Sequence, residues 1–65
     1  MPRPARLIKD VYVPEYDRLF KAGTEVTHLM EMEDRHSVKC ESEGREYWFH
    51  VAKDKVEIIQ TQQQG

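Results

Sequence analysis

The chain has 65 residues, 38% of them hydrophobic and 34% charged, with a formal net charge of −2 at pH 7. A chain this short makes one domain and buries only about 60% of the surface that its unfolded form exposes, which leaves room for one small core and none for a separate catalytic domain. No apolar run exceeds three residues, far below the roughly 20 needed to cross a bilayer, and no apolar segment follows the basic N-terminus as it would in a secretory signal. Cys40 is the sole cysteine and has no internal partner for a disulfide, which favours a reducing compartment, so the cytoplasm is the expected location. The acids Glu25, Glu31, Glu33, Asp34, Glu41, Glu43 and Glu46 crowd the middle of the chain, whereas Arg3, Arg6, Lys9, Lys53 and Lys55 lie toward its ends. A duplex-binding domain carries a basic footprint that displaces counterions from phosphates, and this acidic middle repels them.

In chain order, residues 1–4 read as an extended N-terminal arm, because Pro2 and Pro4 lack a donor and restrict their predecessors. Residues 5–60 read as a single small domain. "RLIKDVYV" predicts a first strand that ends at Pro14, and "PEYDRLFKAG" a long connection closed by Gly23. "TEVTHLMEME" alternates, with Val26, His28, Met30 and Met32 on one face and Leu29 as the exception. "EDR" predicts a three-residue turn, "HSVKCES" alternates again, and Glu43-Gly44 predicts a two-residue hairpin loop. After Val51, "AKDK" gives a short helical turn and "VEIIQ" a closing strand with Val56 and Ile58 inward. Residues 61–65, "TQQQG", are too uniformly polar to pack and read as a disordered tail.

The two-residue loop fixes a register: Cys40 opposite Tyr47, Val38 opposite Phe49, His36 opposite Val51. It also sets Trp48 beside Lys39 and His50 beside Ser37. Successive strand side chains alternate between faces, so Tyr47 and Phe49 point inward and Trp48 and His50 outward. The second turn predicts Met32 opposite His36, Met30 opposite Val38 and His28 opposite Cys40.

Strand, long loop, three-strand meander, helical turn and strand together resemble the Src-homology-3 fold and its bacterial relatives. The residues that carry the resemblance are "FKAGTEV", similar to the entry to that family's second strand; "EGRE", similar to its distal hairpin; and "YWFHVAKDKVEII", similar to its fourth strand, helical turn and last strand. The resemblance implies an all-β, five-stranded small barrel with a long first loop and a short helical turn before the last strand. In the eukaryotic members, proline-rich ligands lie in an aromatic groove. Here the tandem tryptophans are absent near Arg35 and His36, His50 replaces the groove proline, and Lys55 stands near the position of the last tyrosine. A surface patch of Tyr12, Tyr16, Trp48 and His50 is what the comparison leaves as a candidate partner-binding site.

An outward tryptophan supplies a large contact area at low entropic cost, and equally serves to cover the edge of a thin fold. His28, His36, His50 and Cys40 raise the question of a metal, but they lack the closely spaced ligand pairs of a tetrahedral site, so no metal and no cofactor are expected. Cys40 is expected inside, where burial suppresses a thiolate. The carboxylates are expected on turns and outward positions, so no enzymatic activity is predicted. Glu31, Glu33 and Asp34 form an acidic strip, read either as steering for a basic partner or as a solvated edge that resists strand pairing. The expected function is a small protein-interaction module, an accessory or regulatory factor of bacterial or phage type, with a protein partner and no membrane. The alternatives are a nucleic-acid-binding barrel using the basic ends with Trp48 or Tyr12 stacked on bases, and a homo-oligomeric structural protein.

Overall fold

Glu43 and Gly44 both adopt positive φ, 55° and 77°, the conformation that lets a two-residue loop follow the right-handed twist of its flanking strands. That loop joins the two longest strands of the fold. The computed structural model describes residues 2–59. It contains β1 (Arg3–Leu7), β2 (Val11–Val13), β3 (Arg18–Phe20), β4 (Glu25–Glu31), β5 (Arg35–Ser42), β6 (Arg45–Ala52), a 3-10 turn (Lys53–Lys55) and β7 (Val56–Ile58). The strands form an antiparallel five-stranded sheet in the order β6-β5-β4-β1-β7 and a separate two-stranded ribbon, β2-β3. The protein is therefore all-β, with one 3-10 turn ahead of its last strand. The pairings leave β6 and β7 as the two edges, so the described strands make an open sheet with a ribbon, not the closed barrel expected.

The β5–β6 register is the predicted one at every pair: Cys40 faces Tyr47, Val38 faces Phe49, His36 faces Val51, Lys39 faces Trp48 and Ser37 faces His50. The inward set from this hairpin joins Ala5, Leu7, Val11, Val13, Phe20, Val26 and Val56 in one buried core.

Three expectations need correction. The predicted first strand breaks after Leu7, where Ile8 N–H donates to the Lys55 carbonyl and Gly23 N–H to that of Leu7, so the chain turns a corner and restarts as β2. Arg3 and Pro4, placed in an arm by the sequence, lie within β1, opposite His28 and Thr27. The predicted long connection holds β3, paired to β2 through Val11–Phe20, Tyr12–Leu19 and Val13–Arg18. Its loop uses Asp17 at φ 51°, a left-handed position that Asp tolerates better than most residues.

A further correction concerns β4. The register shifts between His28, which faces Val38, and Met30, which faces Ser37. Leu29 is the extra residue of a bulge, and a bulge reverses the parity beyond it. Met30 therefore turns outward and is 59% exposed, and Glu31 takes the position opposite His36. The helical turn and closing strand stand as predicted, with Val56 buried and Ile58 half-buried. The predicted tail at 61–65 lies outside the described residues.

The same bulge creates a buried imidazole pair. His28 and His36 are 3% and 9% exposed, with His28 Nε2 at 2.9 Å from His36 Nδ1 and the rings edge to face at 4.6 Å. One ring donates and the other accepts, so the bond requires at least one neutral imidazole. Burial first, then the positive charge brought by His36 and Arg3, holds His28 below its ordinary range, against the opposing pull of Glu31. The unfolded imidazole titrates near 6.5, so the unfolded chain binds more protons as pH falls. The stability from this pair is fully present above that value and is lost as pH falls through it toward the lower folded pKa. The urea midpoint is expected to drop between about pH 7 and about pH 5, and a His28→Phe/His36→Leu double variant to show a flatter profile there. A second outcome follows from the loop: Glu43→Asn relieves a left-handed Glu and is expected to raise stability by about 0.5–1 kcal/mol, measured by the same unfolding experiment.

Candidate functional site

Ser42 and Arg45 flank the two-residue loop as its closing pair, and hydrogen-bonded and non-hydrogen-bonded pairs then alternate along the hairpin. Lys39–Trp48 and Ser37–His50 are consequently non-hydrogen-bonded pairs. The backbone N–H and C=O of Trp48 and His50 point away from β5, toward the free edge of the sheet. At Trp48 that edge is occupied. The Tyr16 hydroxyl accepts from Trp48 N–H at 3.2 Å and donates to the Trp48 carbonyl at 3.3 Å. One side chain thus satisfies both backbone groups that a neighbouring strand would have bonded. Tyr16 reaches them because its N–H bonds the Val13 carbonyl at 3.1 Å in the loop of the β2–β3 ribbon. Its ring meets Tyr47 edge-on at 5.1 Å.

The Trp48 side chain is 55% exposed, as parity predicts. The Lys39 ammonium lies 5.6 Å from the indole centroid and is itself 3.8 Å from Glu41 and 3.9 Å from Glu46. Tyr12, also 55% exposed, donates its hydroxyl to the Asp17 carboxylate across the loop, and that bond pushes the phenol pKa up. Between the ribbon and the β5–β6 hairpin runs a groove of about 490 Å³, lined by Tyr12, Val13, Pro14 and Glu15 from the ribbon and its loop and by Arg35, Ser37, Trp48, Phe49 and His50 from the hairpin. Of the four residues proposed from sequence, the structure brings Tyr12, Trp48 and His50 into this groove. Tyr16 stands outside its lining and positions Trp48 from behind.

The acidic strip is partly neutralised. Glu31, turned by the bulge, meets Lys53 Nζ at 2.8 Å, and that lysine holds the Glu31 carboxyl below its usual range. Asp34 lies 3.4 Å from Arg35, and Glu33 is exposed. Arg6 likewise meets Glu57 at 3.6 Å, so two members of the basic set at the chain ends, Arg6 and Lys53, face carboxylates. Such exposed pairs contribute only about 0–1 kcal/mol each, but they reduce the charge left for a ligand.

The expected His28–Cys40 pairing does not form, because the bulge sets His28 opposite Val38 and against His36. Cys40 is buried, and burial pushes its thiol up while Arg18 acts in the other direction. Among the described residues, no group of three or more His, Cys, Asp or Glu side chains is arranged to hold a metal ion. Sequence reasoning missed Arg18, which donates to the Tyr47 hydroxyl at 3.1 Å and to the Ser42 hydroxyl at 3.1 Å. It also missed Asp17 as the partner of Tyr12. The Arg18 contacts depend on the ribbon folding over the sheet, for which a local pattern carries no signal, and the Tyr12–Asp17 bond depends on the β2–β3 pairing inside a segment that the sequence reads as a loop.

Tyr16→Phe retains the ring and removes both bonds to the Trp48 backbone. The expected outcome is a loss of about 0.5–1.5 kcal/mol together with faster amide exchange at Trp48 than at Phe49, whose N–H faces β5. No family model matches the chain, and neither a curated protein nor a solved structure does, so the reading of the site rests on its own geometry.

Proposed function

We propose that the chain is a small protein-interaction module, an accessory or regulatory factor that docks a protein partner through Tyr12, Trp48 and His50. The observation that carries this reading is the placement of two half-exposed aromatic side chains, Tyr12 and Trp48, in the lining of one groove. Interfaces are enriched in Tyr and Trp because each offers a large rigid surface with a polar handle. The Trp48 backbone is fixed on one side by β5 and on the other by Tyr16, so little ordering entropy remains to be lost when a partner arrives. Pro14 adds a rigid apolar element to the lining, and Glu15, Arg35 and His50 add polar groups that discriminate between partners.

The element order supports the finer reading of the fold as a Src-homology-3-like small barrel: the ribbon takes the place of the long first loop, and the 3-10 turn precedes the last strand. The groove uses the same general region as that family's ligand site with different residues, so its partner is read from the groove itself and not from the family's proline-rich ligands.

The test is affinity capture from the native host lysate with the unaltered chain and with Trp48→Ala, after both are shown to be folded. The indole is exposed, so its removal is expected to change stability by less than about 1 kcal/mol while lowering recovery of the partner at least tenfold, equivalent to about 1.4 kcal/mol of binding. Equal recovery by a folded Trp48→Ala protein removes the groove as the docking surface.

A further inference from the structure

At the loop end of the β5–β6 hairpin, on the inward face, two guanidinium groups converge on one ring. Arg18 lies 4.9 Å from the Tyr47 centroid and Arg45 lies 5.4 Å from it. Among the described residues neither has a carboxylate within salt-bridge distance, although Arg6, Arg35, Lys39 and Lys53 all do. Arg18 uses two of its five N–H donors, on the hydroxyls of Tyr47 and Ser42. Those hydroxyls accept from Arg18, which leaves their own protons free to donate. Arg45 makes no side-chain hydrogen bond among the described residues. The result is a cluster of donors of which those of Arg45 and three of Arg18 are unused among the described residues.

Both arginines line an open hollow of about 390 Å³ together with Glu15, Tyr16, Asp17 and Tyr47. Asp17 accepts from Tyr12, which leaves Glu15 as the carboxylate in this lining without a hydrogen bond of its own. Guanidinium groups present planar forks that match the oxygens of a tetrahedral oxyanion, and because the carboxylates of Glu15 and Asp17 share this lining, it is the geometry of the forks and not net charge that selects the ligand. We propose that this hollow is a binding site for a phosphate-type oxyanion, gripped by Arg18 and Arg45 with the Tyr47 hydroxyl as an additional donor. Its lining shares only Glu15 with that of the docking groove, and its existence does not depend on that groove's function.

The experiment is a two-dimensional amide NMR titration of the full chain with inorganic phosphate at constant ionic strength, followed in parallel with O-phosphoserine. Saturable shifts centred on Ser42, Arg45 and Tyr47 are expected, with half-saturation at about 1–10 mM. Arg45→Ala, which removes an exposed side chain free of hydrogen bonds, is expected to weaken binding at least fivefold. Glu15→Gln removes a repelling charge and is expected to tighten binding about twofold. Tighter binding of O-phosphoserine identifies a phosphorylated side chain as the source of the group, and equal or weaker binding identifies free phosphate. Shifts that rise linearly without saturating, or a curve unchanged in Arg45→Ala, overturn the proposal.

Discussion

The β2–β3 ribbon shares no strand ladder with the five-stranded sheet, so its position depends on side chains, above all on Phe20. Its ring stacks on Phe49 at 4.8 Å and meets Tyr47 edge-on at 5.4 Å. Burial of such a side chain contributes about 1.5–3 kcal/mol, and aromatic pairing adds about 0.5–1.5 kcal/mol. The Tyr16 hydrogen bonds at the rim contribute about 0.5–1.5 kcal/mol each, and those of the charged Arg18 about 1.5–3 kcal/mol each before solvent screening lowers them. Apolar burial and these polar contacts therefore dock the ribbon together, and the polar contacts decide how it sits. Without that stacking, neither the groove at Trp48 nor the hollow at Arg45 has a second wall.

Trp48 is held outward by two constraints that arise independently. The parity of β6, set by the loop at Glu43 and Gly44, sends its side chain to the face opposite Tyr47 and Phe49. The Tyr16 hydroxyl then fixes its backbone from the edge. The same bonds block strand addition at the centre of an edge eight residues long, which is a common hazard of exposed β-edges. Trp48 thus combines an exposed ring with a backbone that cannot pair further, a combination that favours side-chain docking over β-augmentation at this position.

The β5–β6 hairpin and its inward set were legible because a two-residue loop leaves one register, and one register fixes every face. The β4 strand was legible in type but not in its second half. Leu29 breaks the alternation, yet a single apolar exception does not reveal whether it is a bulge or a half-buried outward residue. The break between β1 and β2 was hidden for a different reason: Leu7 and Val11 are four residues apart, so the inward parity continues across the corner as though the strand did. Trp48, Tyr12 and His50 could be found from local pattern and composition. Tyr16 could be listed as an exposed aromatic, but its hydroxyl meets a backbone 32 residues away, and such a contact exists only once the ribbon has docked.

Glu15 belongs to the lining of both the groove and the hollow, and this shared carboxylate links the two sites electrostatically. In the groove its charge would favour a cationic group on a partner docked as proposed. In the hollow it opposes an oxyanion held by Arg18 and Arg45, while those arginines in turn offset its own field. An oxyanion in the hollow cancels the arginines and leaves Glu15 less compensated, which strengthens its attraction for a cation in the groove. Binding linkage is reciprocal, so a partner that places a cation beside Glu15 must improve oxyanion binding by the same factor. The loop of residues 14–17 is the element through which both effects pass, and it needs no change of shape to transmit them.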